Sequence, residues 1–360
     1  MQAGRHAVWL PQGKIELFRT ENEFVRWLRA KTASRGRGLR LGIGDDAALV
    51  SVRHGYELLL KSDMSIEGVH FQTGIHLPRS VGHRALARSL SDIAAMGGRP
   101  RFALTALALS KGCTRAWLES FYAGLLDLAK RCGVVVIGGD TAVVPGATVI
   151  DVIVTGEVEP GRALRRSGAR PGDAIYVSGW LGASALGLEL LKEQPRLSRA
   201  VEIAPRGTST GRALGARFTR EHALRAHLYP EPRIALGRLL LEQNLASAAI
   251  DVSDGLSTDL GRLAEASRVG ARLREELVPK AELPESRRAN WLALALHGGE
   301  DYELLFTVPT AKVSRVPRVF RGVALHRLGE ITKSKGLRLV QRDGREHELR
   351  PAGYDHFRTE

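Results

Sequence analysis

The stretch SAAIDVSDGLSTDLGRLAEAS, residues 247–267, holds two periodicities joined by one turn. Ala248 to Val252 is an apolar run of strand length that carries Asp251 inside it. Ser253-Asp254-Gly255 then supplies turn chemistry. Beyond it, Leu256, Leu260, Leu263 and Ser267 fall on one helical stripe. The same pattern recurs upstream. Tyr56 to Leu60 (YELLL) runs into Lys61-Ser62-Asp63, and Val134 to Ile137 (VVVI) runs into Gly138-Gly139-Asp140. Ala103 to Leu109, Thr148 to Gly156 and Ala174 to Val177 are further strand candidates, bounded by Gly, Pro or Asp. Helical stripes lie between them: Val81, Leu86, Leu90 and Ile93, then Leu118, Phe121, Leu125 and Leu128. Strands alternating with helices predict an α/β or α+β fold.

A chain of 360 residues is long for one core and comfortable for two. The turn-rich stretch from Pro160 to Asp173 is the natural boundary. It divides the sequence into domains 1–158 and 159–360. A second irregular region, 194–227, is rich in arginine and includes Gly207-Thr-Ser-Thr-Gly211. It reads as a surface insertion, either a mobile lid or plain disorder.

Hydrophobic residues make up 44% and charged residues 26%, as in ordinary globular proteins. No apolar run approaches the ~20 residues that span a bilayer. Met1 to Leu10 carries no secretory signal, and Cys113 and Cys132 show neither metal spacing nor a disulfide framework. A reducing cytoplasm is the expected location. The net charge of +14 raises the question of nucleic acid. The arginines are dispersed, aromatics are only 6%, and no nucleic-acid-binding signature is present. Nucleic acid is therefore not expected as the main partner; the basic field suits anionic small molecules.

The unusual feature is aspartate in apolar, glycine-flanked contexts. Asp45-Asp46 sits in LGIGDDAALV, Asp92 in SLSDIAAMGG and Asp140 in VIGGDT; Asp63, Asp251 and Asp254 follow strands or lie in them. Each alone also suits a cap, a turn or a salt bridge. Asp92, for instance, has Arg88 four residues earlier on the same helical face. Together they are costly to bury and repel one another, so they call for cations. Oxygen donors without His or Cys select hard ions such as magnesium, manganese or calcium. The G-x-x-x-x-G-K-[ST] loop, G-x-G-x-x-G opening a helix, H-E-x-x-H and G-x-S-x-G are all absent.

The ordered motifs GIGDDAALV, SDMSIEGVHF, RALARSLSDIAAMGGRPRFALTALAL, GGDT, GRALRRSGARPGD, AIDVSDGLSTDLGRLAEAS, GGEDYELLFTVP and GYDHF span Leu41 to Phe357. In that order they closely resemble the thiamine-monophosphate kinases, a family related to aminoimidazole ribonucleotide synthetase, selenophosphate synthetase and hydrogenase maturation proteins. The resemblance implies a two-domain α/β protein. Its N-terminal sheet-and-helix domain would pair through its sheet in a homodimer. Its C-terminal domain would be a mixed sheet flanked by helices. ATP as co-substrate and several Mg²⁺ ions would lie between the domains, with thiamine monophosphate as acceptor. Carried over by position, the metal ligands resemble Asp46, Ser62, Asp63, Asp92, Asp140, Asp251 and Asp254. The nucleotide contacts resemble Tyr122, Gly139, Arg166 and Ser253, and the substrate contacts His70, Glu300 and Tyr354. Taken as residues alone, His70 also suits packing beside Phe71, Glu300 a turn cap, and Tyr354 an anchor for the C-terminal tail.

One position departs from the family: Lys61 stands where a small hydroxyl residue is usual. A protonated lysine cannot ligate a metal; it either stands in for a cation or points away while its carbonyl serves. The reaction the resemblance implies needs no acid or base residue, because a phosphomonoester acceptor is already largely ionised at pH 7. Direct metal-assisted in-line transfer is expected. The competing readings are a sister enzyme using ATP on another substrate, and a basic nucleotide- or nucleic-acid-binding protein. The chain lacks the N-terminal Cys of selenophosphate synthetase and the C-terminal Cys of the hydrogenase maturation relative.

Overall fold

The computed structural model describes residues 18, 20–32, 38–44, 47–203, 218–281 and 290–354. Helix α1 (Glu21–Lys31) and a small pair, β1 (Leu39–Leu41) and β2 (Leu49–Val50), precede the first large sheet. That sheet is made of β3 (Glu57–Ile66), β4 (Arg99–Ser110), β5 (Val135–Val144) and β6 (Val149–Val158). Helices α2 (Pro78–Ala95) and α3 (Arg115–Cys132) connect its strands. The strand order is β3-β6-β4-β5, so β3 and β5 are the two edges. β4 and β5 are parallel, joined through α3; the other neighbours are antiparallel.

α3 is bounded by its own sequence. The Thr114 hydroxyl accepts from the Trp117 N–H at its start, and Gly133 takes a left-handed conformation at its end. Leu86, Leu90 and Ile93 of α2 are buried, and each contributes roughly 1.5–3 kcal/mol by leaving water. The two helices cross at glycines. A Cβ on Gly82 would lie 1.9 Å from the Phe121 carbonyl oxygen, and one on Gly124 the same distance from that of Arg79.

The remaining elements are β7 (Ala174–Ser178), α4 (Ala183–Glu193), α5 (Leu197–Ile203), α6 (Arg220–Leu228), α7 (Ile234–Glu242), β8 (Ala248–Val252), α8 (Leu256–Ser267), β9 (Gly270–Arg274), α9 (Trp291–His297), β10 (Glu303–Val308), β11 (Val319–Phe320), β12 (Val323–Thr332), β13 (Gly336–Val340) and β14 (Glu346–Glu348). They form an eight-stranded mixed sheet, β14-β13-β9-β12-β7-β10-β8 with β11 on β12; β13 pairs with β9 in parallel. One face packs on α8, burying Leu256, Leu260 and Leu263 against Ile175, Val177 and Ile250. The other face contributes Tyr176, Leu304 and Phe306 to the large core that also holds α2, α3 and α7. The expected class, a mixed α/β protein with two sheets flanked by helices, is what the chain adopts.

Three local expectations need correction. The strands beginning near Tyr56 and Val134 do not stop at Asp63 and Asp140. β3 and β5 run through both residues, because edge strands with one face open to solvent tolerate alternate polar side chains. The segment 194–227 is not irregular where it is described. α5 and α6 flank residues 204–217, and α6 packs on α4 through Leu224 and Leu228; Gly207 to Gly211 lies outside the described residues. Finally, Asp92 does not pair with Arg88 along the helix. Arg88 turns to Asp63 and Glu300 instead.

Candidate active site

A cleft of about 730 Å³ opens between the two sheets. β3 presents Lys61 and Asp63 to it from the face turned toward α2, since alternate residues of a strand share a side. Asp92 reaches it from α2, Asp251 from β8, and Ser253 and Asp254 from the turn before α8. Arg166, His70, Glu300 and Tyr354 also line it, and Ser62 borders it although its hydroxyl turns, on the opposite face of β3, to Asp151. Most of the residues expected from the sequence therefore converge on one cavity.

Charge governs the arrangement. The Lys61 ammonium lies 2.9 Å from an Asp92 carboxylate oxygen and 3.5 Å from one of Asp63. Burial lowers its pKa, but the carboxylates of Asp92 and Asp63 outweigh that and raise it, so it stays charged. Arg88 holds the other Asp63 oxygen at 3.0 Å. Asp251 is only 3% exposed; it accepts from the Ser91 hydroxyl at 2.8 Å. Burial, then the neighbouring Asp92 charge, pushes its carboxyl up to about 8. A carboxyl that burial and a like charge hold protonated suits a hard divalent ion, whose charge would favour its ionised form. Among the described residues, however, no three His, Cys, Asp or Glu side chains are preassembled around one metal position. Lys61 bridges Asp63 and Asp92, Arg262 pairs with Asp254, and Asp46 lies outside the described residues.

The opposite wall is built around Glu300. Burial raises its pKa, but Arg84 and Arg88 more than compensate, so it is held below the ordinary carboxylate range. Arg84, 3% exposed on α2, donates to Glu300 at 2.7 Å, to the His70 carbonyl at 3.2 Å, and to the His227 carbonyl and ring. Behind it His76 Nε2 meets His227 Nε2 at 2.8 Å. His76 Nδ1 accepts from the Gln72 N–H at 3.0 Å. Burial and the Arg84 charge push His76 down to about 3 and His227 well below its usual range. His70 Nδ1 accepts from the Ile66 N–H at 3.0 Å. Tyr354 is 49% exposed, with its N–H on the Asp254 carbonyl, which anchors this part of the chain beside the cleft.

Sequence reasoning missed Arg84, Tyr302 and Asp259. Asp259 accepts the N–H groups of Ser253 and Asp254 at 3.0 and 2.9 Å and so shapes the turn before α8. Its place four residues after Gly255, in the first turn of a helix, was the available signal.

Two groups of expected residues do not meet. Ser62 lies on the other face of β3, its hydroxyl donating to Asp151. Tyr122, Gly139 and Asp140 line a separate cleft of about 900 Å³ beside α1. Tyr122 is 1% exposed, with its hydroxyl 2.9 Å from that of Thr105. Gly139 has a packing reason of its own: a Cβ there would lie 2.0 Å from the Thr105 carbonyl oxygen. Asp140 sits on β5, three strands from Asp63 on β3, or ~14 Å at ordinary strand spacing.

Two mixed sheets with helices between them and a carboxylate-lined cleft define the class of AIR synthase related proteins. The model of that family's N-terminal domain matches residues 44–158, and that of its C-terminal domain matches 170–342. Within that class, the chain belongs to the thiamine-monophosphate kinase family. It is 37% identical over 324 residues to the Bacillus subtilis (strain 168) thiamine-monophosphate kinase, covering 88% of this chain and 94% of the relative. The crystal structure of thiamine-monophosphate kinase from Stenotrophomonas maltophilia K279a superposes with a TM-score of 0.74 at 35% identity, covering 89% and 95% of the two chains. AaThiL complexed with AMPPCP and TMP superposes at 0.70 with 30% identity, covering 94% and 97%.

Proposed function

We propose that this chain transfers the γ-phosphoryl group of ATP to thiamine monophosphate, giving thiamine diphosphate and ADP. The observation that carries this reading is the single cleft in which Asp63, Asp92, Asp251 and Asp254 stand beside Arg166, with His70, Glu300 and Tyr354 around them. Support comes from the relatives and from the neighbour complexed with AMPPCP and TMP. Asp63, Asp92, Asp251 and Asp254, with Asp46, Asp140 and the Ser62 position, would hold several Mg²⁺ ions. The chemistry bound Mg²⁺ supplies is neutralisation of phosphate charge. Arg166 suits phosphate oxygens by its planar fork of donors, and Ser253, Tyr122 and Gly139 are assigned to the nucleotide. His70, Glu300 and Tyr354 take the acceptor. The attacking phosphate oxygen is already ionised, so the protein positions and neutralises rather than removing a proton.

We also propose the division into domains 1–158 and 159–360, a cytoplasmic location, and a homodimer. Leu58, Leu60 and Met64 expose an apolar stripe on the face of the first sheet turned away from α2. A two-fold partner on that face buries the stripe and brings its own β5 edge toward this β3 edge. The stranded Asp140 would then meet Asp63 of the other copy.

The test is incubation of the full chain with ATP, Mg²⁺ and thiamine monophosphate, followed by chromatography. Thiamine diphosphate that appears only without EDTA is the expected result. Folded, ATP-binding protein that yields none would overturn the choice of acceptor.

A further inference from the structure

We propose that the Lys61 ammonium is a built-in cation that takes the place of one divalent ion between Asp63 and Asp92. This rests on the reading that divalent ions serve this cleft. Lys61 and Asp63 project from the same face of β3, and Asp92 faces them from α2. The ammonium stands 2.9 Å from Asp92 Oδ2 and 3.5 Å from Asp63 Oδ2. A divalent ion held by Asp63 and Asp92 would compete with Nζ for the same oxygens. A second cation there would meet the ammonium at close range with only partial screening. Lysine donates three hydrogen bonds and offers no lone pair, so it cannot share in ligating that ion. Arg88 takes the remaining Asp63 oxygen at 3.0 Å. The side chain thus supplies a fixed positive charge between Asp63 and Asp92, and any divalent ion binds elsewhere in the cleft.

The experiment counts Mn²⁺ ions bound to the full-length chain by electron paramagnetic resonance, with the non-hydrolysable nucleotide AMPPCP present. Lys61→Thr and Lys61→Met are each expected to bind one more Mn²⁺ per chain than the wild type. Equal counts, zero included, would overturn the proposal. Should neither variant fold, anomalous scattering from wild-type crystals soaked in Mn²⁺ decides. A manganese peak bonded to both Asp63 and Asp92 would sink it, and Nζ density there without manganese would support it. The kinase assay is independent. If thiamine monophosphate is not phosphorylated, the acceptor assignment fails while the ion count still decides the role of Lys61.

Discussion

Glu300 adopts φ +66° and Tyr302 φ +52°, a left-handed conformation that costs non-glycine residues of order 1–3 kcal/mol each. Their N–H groups bond the carbonyls of Ser253 and Val252, which fastens the strained segment to the end of β8. Arg84 then fixes the carboxylate and the His70 carbonyl together. Arg84→Met leaves Glu300 to Arg88 alone and releases His70. Steady-state kinetics should give a Michaelis constant for thiamine monophosphate raised by about tenfold to a hundredfold, or ~1.4–2.8 kcal/mol, and that for ATP changed by less than about twofold. Arg84→Lys should recover part of the loss; an equal rise for both substrates would mean general collapse instead. Asp63→Asn removes the carboxylate charge that Lys61 meets through Oδ2 and Arg88 through Oδ1. It should lower turnover by roughly a thousandfold while the circular dichroism spectrum stays unchanged, and full activity would refute its assignment. Asp251 yields a pH prediction. A carboxyl held up at about 8 in the fold keeps a proton that the unfolded chain has released by pH 7. Stability therefore falls as pH rises from the unfolded value of about 4 to the folded value of about 8 and levels off above it; Asp301, also held up at about 8, adds to the fall. His76 and His227 act in the opposite sense, but only below their unfolded pKa near 6.5. Melting in EDTA should drop across pH 7–8, with a shallower drop in Asp251→Asn; a flat profile in the wild type would contradict this account.

Helix α2 links the two sheets, and its crossing with α3 depends on bare backbone at Gly82 and Gly124. Gly82→Ala gains about 1 kcal/mol of helix propensity. It also drives a methyl group to 1.9 Å from the Phe121 carbonyl, a clash that backbone must relieve. A net loss of about 1–3 kcal/mol, read as a lower urea midpoint, is expected. Gly112→Ala meets nothing within 4 Å and should stay within about 0.5 kcal/mol of the wild type. The stripes that bury α2, α3 and α8 were legible because helical period and apolar identity coincide at Leu86, Leu90, Phe121, Leu125, Leu256 and Leu260. The ends of β3 and β5 were not. Lys61-Ser62-Asp63 and Gly138-Gly139-Asp140 carry turn residues, yet ladder hydrogen bonds to β6 and β4 hold them extended. The site was legible in its carboxylates, whose apolar flanks are unusual. Arg84 and Arg88 were not, because they sit on a helix face that in sequence looks like any solvated one, and only the fold brings Glu300 to them.

For the whole molecule, the question is which chain supplies Asp140. The order β3-β6-β4-β5 holds Asp63 and Asp140 at opposite edges of one sheet, so no side-chain rotation within a single copy joins them. In the proposed dimer each site pairs Asp63 of one copy with Asp140 of the other. Two inactive variants then test the geometry. A chain carrying Asp63→Asn, mixed with one carrying Asp140→Asn, forms dimers in which one site has lost both carboxylates and the other has kept both. With random exchange about half of the dimers are mixed, each with one intact site of two, so about a quarter of wild-type activity should return. Each variant alone should stay inactive. Leu60 gives the structural counterpart, since at 70% exposure it is the most open large apolar side chain of the stripe. Leu60→Lys should shift the chain toward monomer by light scattering, and it should abolish the rescue on mixing. If mixing restores nothing while the wild type is dimeric, each chain holds a complete site, and Asp140 belongs to the cleft beside α1.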